Sequence, residues 1–353
     1  MIGRFLGRFP RVIASIILGA LAVSAWQATV YVETVVRPRE VAARQAMIER
    51  EIGRADTLFS RAKFETALNE YDYVLAGYPN EFAADVEGRL RERVGTCHVA
   101  LALAGNANGS MESAFESYRV ALALRPAEAN TKAHAETQYQ LGKAHMAMSR
   151  LTGDAPPVLA AVAAFEAGAA VLSEQDDAAL YAIGLRSIGN AHRRLYELDR
   201  DGNPMDTALA YYGQALRIAK PIPLPVAHGE TLIEIGRAHV LMSEHRYRLR
   251  ELEAAIKSFE KALRVLTVES YPRLHAGAHK EIGDTYTVMS LLEPKSNSDR
   301  ARHRQRTFRY ENKAKQSYRI AKSFGFEPAF EVAVADQPAP AKDDKPIEDE
   351  KKE

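Results

Sequence analysis

Apolar and small residues recur along this chain at spacings of three and four, and whole groups of them return every 47 residues. One ladder pairs an apolar residue with glycine: Val94-Gly95, Leu141-Gly142, Ile188-Gly189, Ile235-Gly236 and Ile282-Gly283. A second runs Ala67, Ala114, Ala161, Ala208 and Ala255. An aromatic follows four residues later (Tyr71, Tyr118, Phe165, Tyr212, Phe259), then a small or β-branched residue three beyond (Val74, Ala121, Gly168, Ala215, Ala262). These spacings put all three on one face of a helix. A glycine inside a helix costs ~1 kcal/mol relative to alanine. Its return predicts a neighbouring helix crossing so close that a Cβ does not fit, with the aromatic filling the gap. Each unit is therefore expected to be two antiparallel helices, the first bearing glycine and the second alanine and aromatic. No segment shows the two-residue alternation of a strand.

These columns resemble the tetratricopeptide repeat, a helix–turn–helix unit with Leu-Gly on its first helix, Ala-x3-Phe/Tyr-x2-Ala on its second and a closing proline. Pro79 and Pro126 match the closing position, and Pro221 lies one residue away. The resemblance implies an all-α fold, a right-handed α-solenoid of about six helix hairpins over residues 41–324. The units fall near 41–79, 82–126, 129–173, 176–221, 224–268 and 271–324. The last has a stretched middle (Pro294 to Arg302), which delays its second helix to Tyr310–Lys322, with Ala314, Tyr318 and Ala321 as its columns. Two departures stand out. The usual unit is ~34 residues, and here seven of the extra residues lie between glycine and alanine, close to two helical turns. Turn formers in these segments (Gly105 to Ser110, Gly153 to Pro157, Asp199 to Pro204) assign part of the addition to loop. Histidine also stands where the family usually has tyrosine: His98, His145, His192 and His239, with Tyr286 last.

The ends read differently. Residues 1–11 carry Arg4, Arg8 and Arg11 and no acid, and Val12 to Val32 is uncharged, long enough to cross a bilayer as a helix. The expectation is a single-pass anchor over 12–32, with Trp26 and Tyr31 near the interface. A signal peptide cleaved after Val23-Ser24-Ala25 is the alternative. The corresponding location is a bacterial inner membrane with the repeats in the periplasm, and a mitochondrial location is the alternative. Residues 33–40 read as a linker and 325–353, with Pro338, Pro340 and Pro346 among charges, as a disordered tail.

A formal net charge of +1 gives no global pull toward nucleic acid. The single cysteine, Cys97, can form no internal disulfide and reads as a buried small residue. The histidine column has no carboxylate or thiol column beside it, and equivalent residues of stacked hairpins lie about 8–10 Å apart. Zinc needs ligands within ~2.1 Å, so packing histidines are expected, with no metal and no cofactor. No Gly-x-Ser-x-Gly, phosphate loop or His-Glu-x-x-His occurs, and the chain is not expected to be an enzyme.

The resemblance implies protein partners held in a concave groove lined by the first helices. Residues flanking the glycines are then candidates: Tyr139, Lys143, Arg186, Asn190, Arg193, Arg194, Arg237 and Lys280. Some family members clamp a peptide carboxylate with Lys/Arg and Asn at such places. Arg186 and Asn190 match half of that clamp, and Glu234 stands where a second asparagine is wanted. Two Arg-rich stretches, 245–250 and 300–306, offer an edge for anionic lipid. The expected role is a membrane-anchored interaction scaffold or assembly factor. A permanently packed accessory subunit of a larger membrane complex is the alternative.

Overall fold

The computed structural model describes residues 26–27, 29–106, 109–199, 202–244, 248–292 and 300–327. Twelve α-helices run through them: α1 (Arg37–Ser60), α2 (Phe64–Gly77), α3 (Ala84–Leu103), α4 (Met111–Leu124), α5 (Thr131–Thr152), α6 (Pro156–Ala170), α7 (Glu174–Asp199), α8 (Gly202–Ile218), α9 (Pro225–Met242), α10 (Arg248–Val265), α11 (Pro272–Ser290) and α12 (Arg300–Lys322). No strand occurs among the described residues. The chain divides into two compact units, Met1–Leu198 and Asp199–Glu353. In the first, α1 packs on α2, α3 on α4 and α5 on α6. In the second, α9 packs on α10 and α11 on α12.

The glycine column does what its spacing predicts. A Cβ built on Gly142 would stand 2.4 Å from Phe165 Cε1, one on Gly236 2.3 Å from Phe259 Cε1, and one on Gly283 2.5 Å from Tyr318 Cε1. At Gly95 the approach to Tyr118 is 3.0 Å. Carbon atoms prefer ~3.5–4.0 Å, so each aromatic lies directly on the glycine backbone of its partner helix. Further along each hairpin, Gly88 meets Arg125 and Gly229 meets Leu266. Contacts that diverge from Gly95–Tyr118 to Gly88–Arg125 require antiparallel helices. The alanine and aromatic columns are buried throughout, with Tyr71, Tyr212 and Phe259 at 0% exposure.

The first hairpin is shorter. Ala55, fully buried, stands 16 residues before Tyr71, whereas Gly95, Gly142 and Gly236 stand 23 before their aromatics. In the longer hairpins the additional residues extend the first helix and its loop. α3 closes at Gly105, whose φ of +69° is the left-handed conformation that ends a helix, with Asn106 N donating to Leu101 O at 3.0 Å. Side-chain caps open the next helices: Ser110 accepts from Ser113 N, and Asn130 from Ala133 N. In α7 the backbone is non-helical at Asp177, whose carboxylate accepts from Leu180 N at 2.9 Å and so starts the regular part of that helix.

The membrane anchor and the location built on it are not upheld. No helix among the described residues is long and apolar enough to cross a membrane. Residues 1–25 of the expected segment and its basic flank lie outside the described residues. From Thr29 onward the chain is helix, passing through a π-helical turn (Val32–Val36) into α1, where Glu33 and Arg37 already pair at 2.6 Å. Of the expected tail, residues 328–353 also lie outside the described residues.

Candidate partner-binding surface

The column one residue after glycine has a use that depends on the aromatic opposite. In the hairpins of Tyr71, Tyr118 and Tyr318 the residue engages the tyrosine hydroxyl. Thr96 Oγ1 lies 3.1 Å from Tyr118 Oη, and Tyr318 Oη donates to Asp284 Oδ1 at 2.7 Å. In the short hairpin Tyr71 Oη donates to Asp56, the residue after Ala55, at 2.6 Å. Burial, then the bond to Asp56, pushes the Tyr71 phenol well above its usual range. Where the aromatic is phenylalanine there is no hydroxyl to satisfy, and the same position carries Lys143 or Arg237. Lys143 is exposed, with Gln140 Oε1 at 3.4 Å. Arg237 pairs with Glu234 at 2.6 Å and Glu281 at 2.7 Å. Burial works against its charge, but the two carboxylates outweigh that and raise its pKa.

The column three residues before glycine is not a groove. Tyr139 is 2% exposed, wedged between Gly168 of its own hairpin and Gly184 of the next first helix; a Cβ on Gly184 would lie 2.1 Å from its hydroxyl oxygen. That hydroxyl has no hydrogen-bond partner, and burial raises its pKa. Tyr139 is thus a core residue, contrary to the expectation that it meets a ligand. Glu92, in the same column, accepts from Thr137 Oγ1 at 2.8 Å and from Arg125 Nη1 at 3.0 Å. Arg125 also donates to Asp85 Oδ1 at 3.0 Å. Ile233 is buried, and Lys280 is held by Asp284 at 2.7 Å. At Glu92 and Tyr139 the column faces the next first helix, which packs against it.

The basic residues of the fourth unit are tied to neighbours. Arg193 and Arg194 share Glu197, Arg194 at 3.0 Å, and Arg194 Nη2 also reaches Ser149 O at 3.4 Å near the end of α5. Arg186 and Asn190 are half-buried and engaged. Of the eight expected site residues, Lys143 and Arg237 are exposed, and Arg237 is held by two carboxylates. Arg186, Asn190, Arg193 and Arg194 share one stretch of α7. Tyr139 faces inward, and Lys280 lies in the other unit. Of the Arg-rich stretches, Arg248, Arg250, Arg304 and Arg306 are exposed, while residues 245–247 and the side chains of 300–303 are not described.

The predicted histidines pack individually. His145 stacks on Phe115 with ring centroids 4.4 Å apart, and burial lowers its pKa. Burial lowers that of His192 too, with Glu166 opposing. His239 Nδ1 donates to Glu251 Oε2 at 2.7 Å. Burial raises the Asp72 carboxyl, with His98 and Arg91 opposing. Tyr286 stacks on Tyr310.

A second histidine column escaped the sequence reading. His134, His228 and His275 each donate Nδ1–H to the carbonyl nine residues earlier, of Arg125 (2.9 Å), Ala219 (2.6 Å) and Leu266 (2.8 Å). Carbonyls at helix ends lack partners within the helix, and these histidines supply them from the next hairpin. Their 47-residue multiples are visible in the sequence, eight residues before each glycine. The Glu92–Arg125 pair left a fainter signal, a cation in a column otherwise filled by Tyr78, Leu172, Ala219 and Leu266.

The fold is an array of helical hairpins with repeated interior contacts. No protein-family model matches the chain, and no curated protein does. Solved structures similar to it include MamA, 20% identical over 60% of this chain and 93% of that one, with a TM-score of 0.37. BtubC from P. vanneervenii is 15% identical over 82% and 96%, with a TM-score of 0.48. The C-terminal part of a TPR repeat-containing protein from Cytophaga hutchinsonii is 13% identical over 78% and 95%, with a TM-score of 0.27. These likenesses concern helical architecture, and no activity or partner is carried over from them.

Proposed function

We propose that the chain acts by binding other proteins, as an interaction scaffold, and not by catalysis. One observation carries the reading: a repeated interior holds the first helices while the residue after each glycine changes. Thr96, Lys143, Arg237 and Asp284 occupy equivalent places with four chemistries; Lys143 and Arg237 are exposed, and Thr96 and Asp284 are half-buried against tyrosine hydroxyls. Stacked repeats of this kind spread binding over several units. In the first unit the surface in question is the outward side of α3, α5 and α7, with Lys143 at its centre and the half-buried cluster of Arg186, Arg193 and Arg194 beside it.

The test places a photo-crosslinking amino acid at Lys143 in the full-length chain, in its native host. The same group at Leu159, exposed on the second helix α6, serves as control. Protein adducts formed from position 143 and absent from 159 support the reading. Equal yields, or adducts from neither position, would overturn it, as would substrate turnover by the purified chain.

A further inference from the structure

The first half of α12 is a run of cations with no acid among them: Arg300, Arg302, Arg304, Arg306 and Arg309, ahead of Glu311. Arg304, Arg306 and Arg309 are exposed, and none of them meets a carboxylate among the described residues. Some exposed arginines elsewhere are paired, as Arg44 is with Glu81, Arg119 with Glu116, Arg54 with Glu70 and Arg237 with Glu281; others, such as Arg61, Arg150 and Arg217, stand singly, and what sets α12 apart is the density of its run. Like charges three and four residues apart destabilise a helix. Arg306 with Arg309, and Arg309 with Lys313, are such pairs, and nothing on this helix before Glu311 offsets them.

Beside this run lies a cleft of about 230 Å³ between α10, α11 and α12. Its apolar lining is Ile256, Met289 and the rings of Tyr286 and Tyr310, stacked with centroids 5.9 Å apart. Lys313 Nζ donates to Tyr286 Oη at 3.0 Å, over the same ring. Glu253, Lys257 and Glu260 stand on the α10 side. Tyr310 follows Arg306 by four residues and Lys313 follows Arg309 by four, so Arg306 and Arg309 lead into the cleft on one face of the helix. For scale, a dry cavity of ~150 Å³ accepts benzene.

We infer that an acidic peptide segment of a partner protein docks along the first half of α12. Its carboxylates pair with Arg304, Arg306 and Arg309, and one aromatic or branched side chain enters the cleft. Charge complementarity selects an anion, and the cleft selects its kind. A nucleic acid carries charge at every link, and here the arginines give way to a cleft of mixed charge with an apolar floor. A peptide can set its acids over the arginines and an uncharged side chain on Ile256, Met289 and the two tyrosine rings. This inference rests on the binding reading above but uses a different surface.

The experiment measures fluorescence anisotropy of a fluorescein-labelled peptide, alternating Glu and Ser around one Phe, against the full-length chain. Binding should weaken about tenfold in R304E/R306E/R309E at unchanged helicity, and about tenfold when the probe's Phe becomes Ala. Added salt should weaken it as well. Absence of binding by the wild-type chain, equal binding by the triple variant, or tighter binding of a single-stranded oligonucleotide of the same length would each overturn the inference. Adducts from position 143 without peptide binding at α12 would sink this inference alone. Peptide binding without those adducts would sink only the reading of the first-helix face.

Discussion

Alanine is the better helix former by ~1 kcal/mol, yet two helical glycines of this chain should respond to it with opposite signs. Gly53, exposed within α1, has nothing within 4 Å of the place a Cβ would occupy. Gly236 in α9 has Phe259 Cε1 at 2.3 Å, Cζ at 2.6 Å and Cδ1 at 2.7 Å from that place. Phe259 is 0% exposed and sits between Ala255 and Ala262, also at 0%, so its ring has nowhere to retreat without moving α10. Overpacking of this kind costs ~1–3 kcal/mol, which exceeds the propensity gain over most of its range. Gly53→Ala should therefore stabilise by about 1 kcal/mol, and Gly236→Ala should destabilise by about 1 kcal/mol. Urea denaturation followed by far-UV circular dichroism, with amide exchange of α9 to localise the effect, measures both. A further variant, Gly236→Ala with Phe259→Leu, should recover part of the loss by removing the ring atoms that clash. A Gly236→Ala protein at least as stable as wild type would refute the claim that the glycine column exists to seat the aromatic.

Two other outcomes follow from the buried charges. Arg125→Leu copies the Leu266–Gly229 contact but strands Glu92, 9% exposed, without its cation; it should cost ~3–5 kcal/mol. Combining it with Glu92→Ile, the residue found at 233 in that column, should return the urea midpoint close to wild type. Burial and the neighbouring His275, 4.8 Å away ring to ring, lower the pKa of His279 from 6.5 to about 4. Between those values the unfolded chain binds a proton that the folded chain refuses, so stability present above pH 6.5 falls as pH drops. At ~1.4 kcal/mol per pH unit the upper limit is about 3 kcal/mol. A pH series of denaturation midpoints should show this slope, and His279→Leu should flatten it.

The glycine and aromatic ladders were legible because close packing leaves little choice: Gly142 and Phe165 are what two crossing backbones allow. The resemblance places Tyr139, Arg186 and Lys280 in a groove because they flank the glycines. Their column has another use in the structure. Glu92 answers Thr137 and Tyr139 answers Gly184, each 45 residues on, so the variation is matched between hairpins. A period identifies equivalent positions but does not say which side of a helix the next unit covers. The arginines of α7 misled similarly, since Glu197 and the Ser149 carbonyl lie outside the columns compared. The second histidine column is fainter in the sequence because Glu87 and Tyr181 hold the two remaining places of its period.

The matching of Glu92 to Thr137 and of Tyr139 to Gly184 gives each hairpin an address within the first unit. Excision of one whole period, residues 127–173, would keep every ladder in frame and bring Gly184 to the place Thr137 now holds. Glu92 would lose the hydroxyl it accepts from, and the hollow at Gly184 would face a carboxylate in place of a phenol ring. Shortening by a full repeat is therefore not a neutral edit. The order of the modules is written in their contacts, so a shuffled array of the same hairpins would be a different and weaker protein.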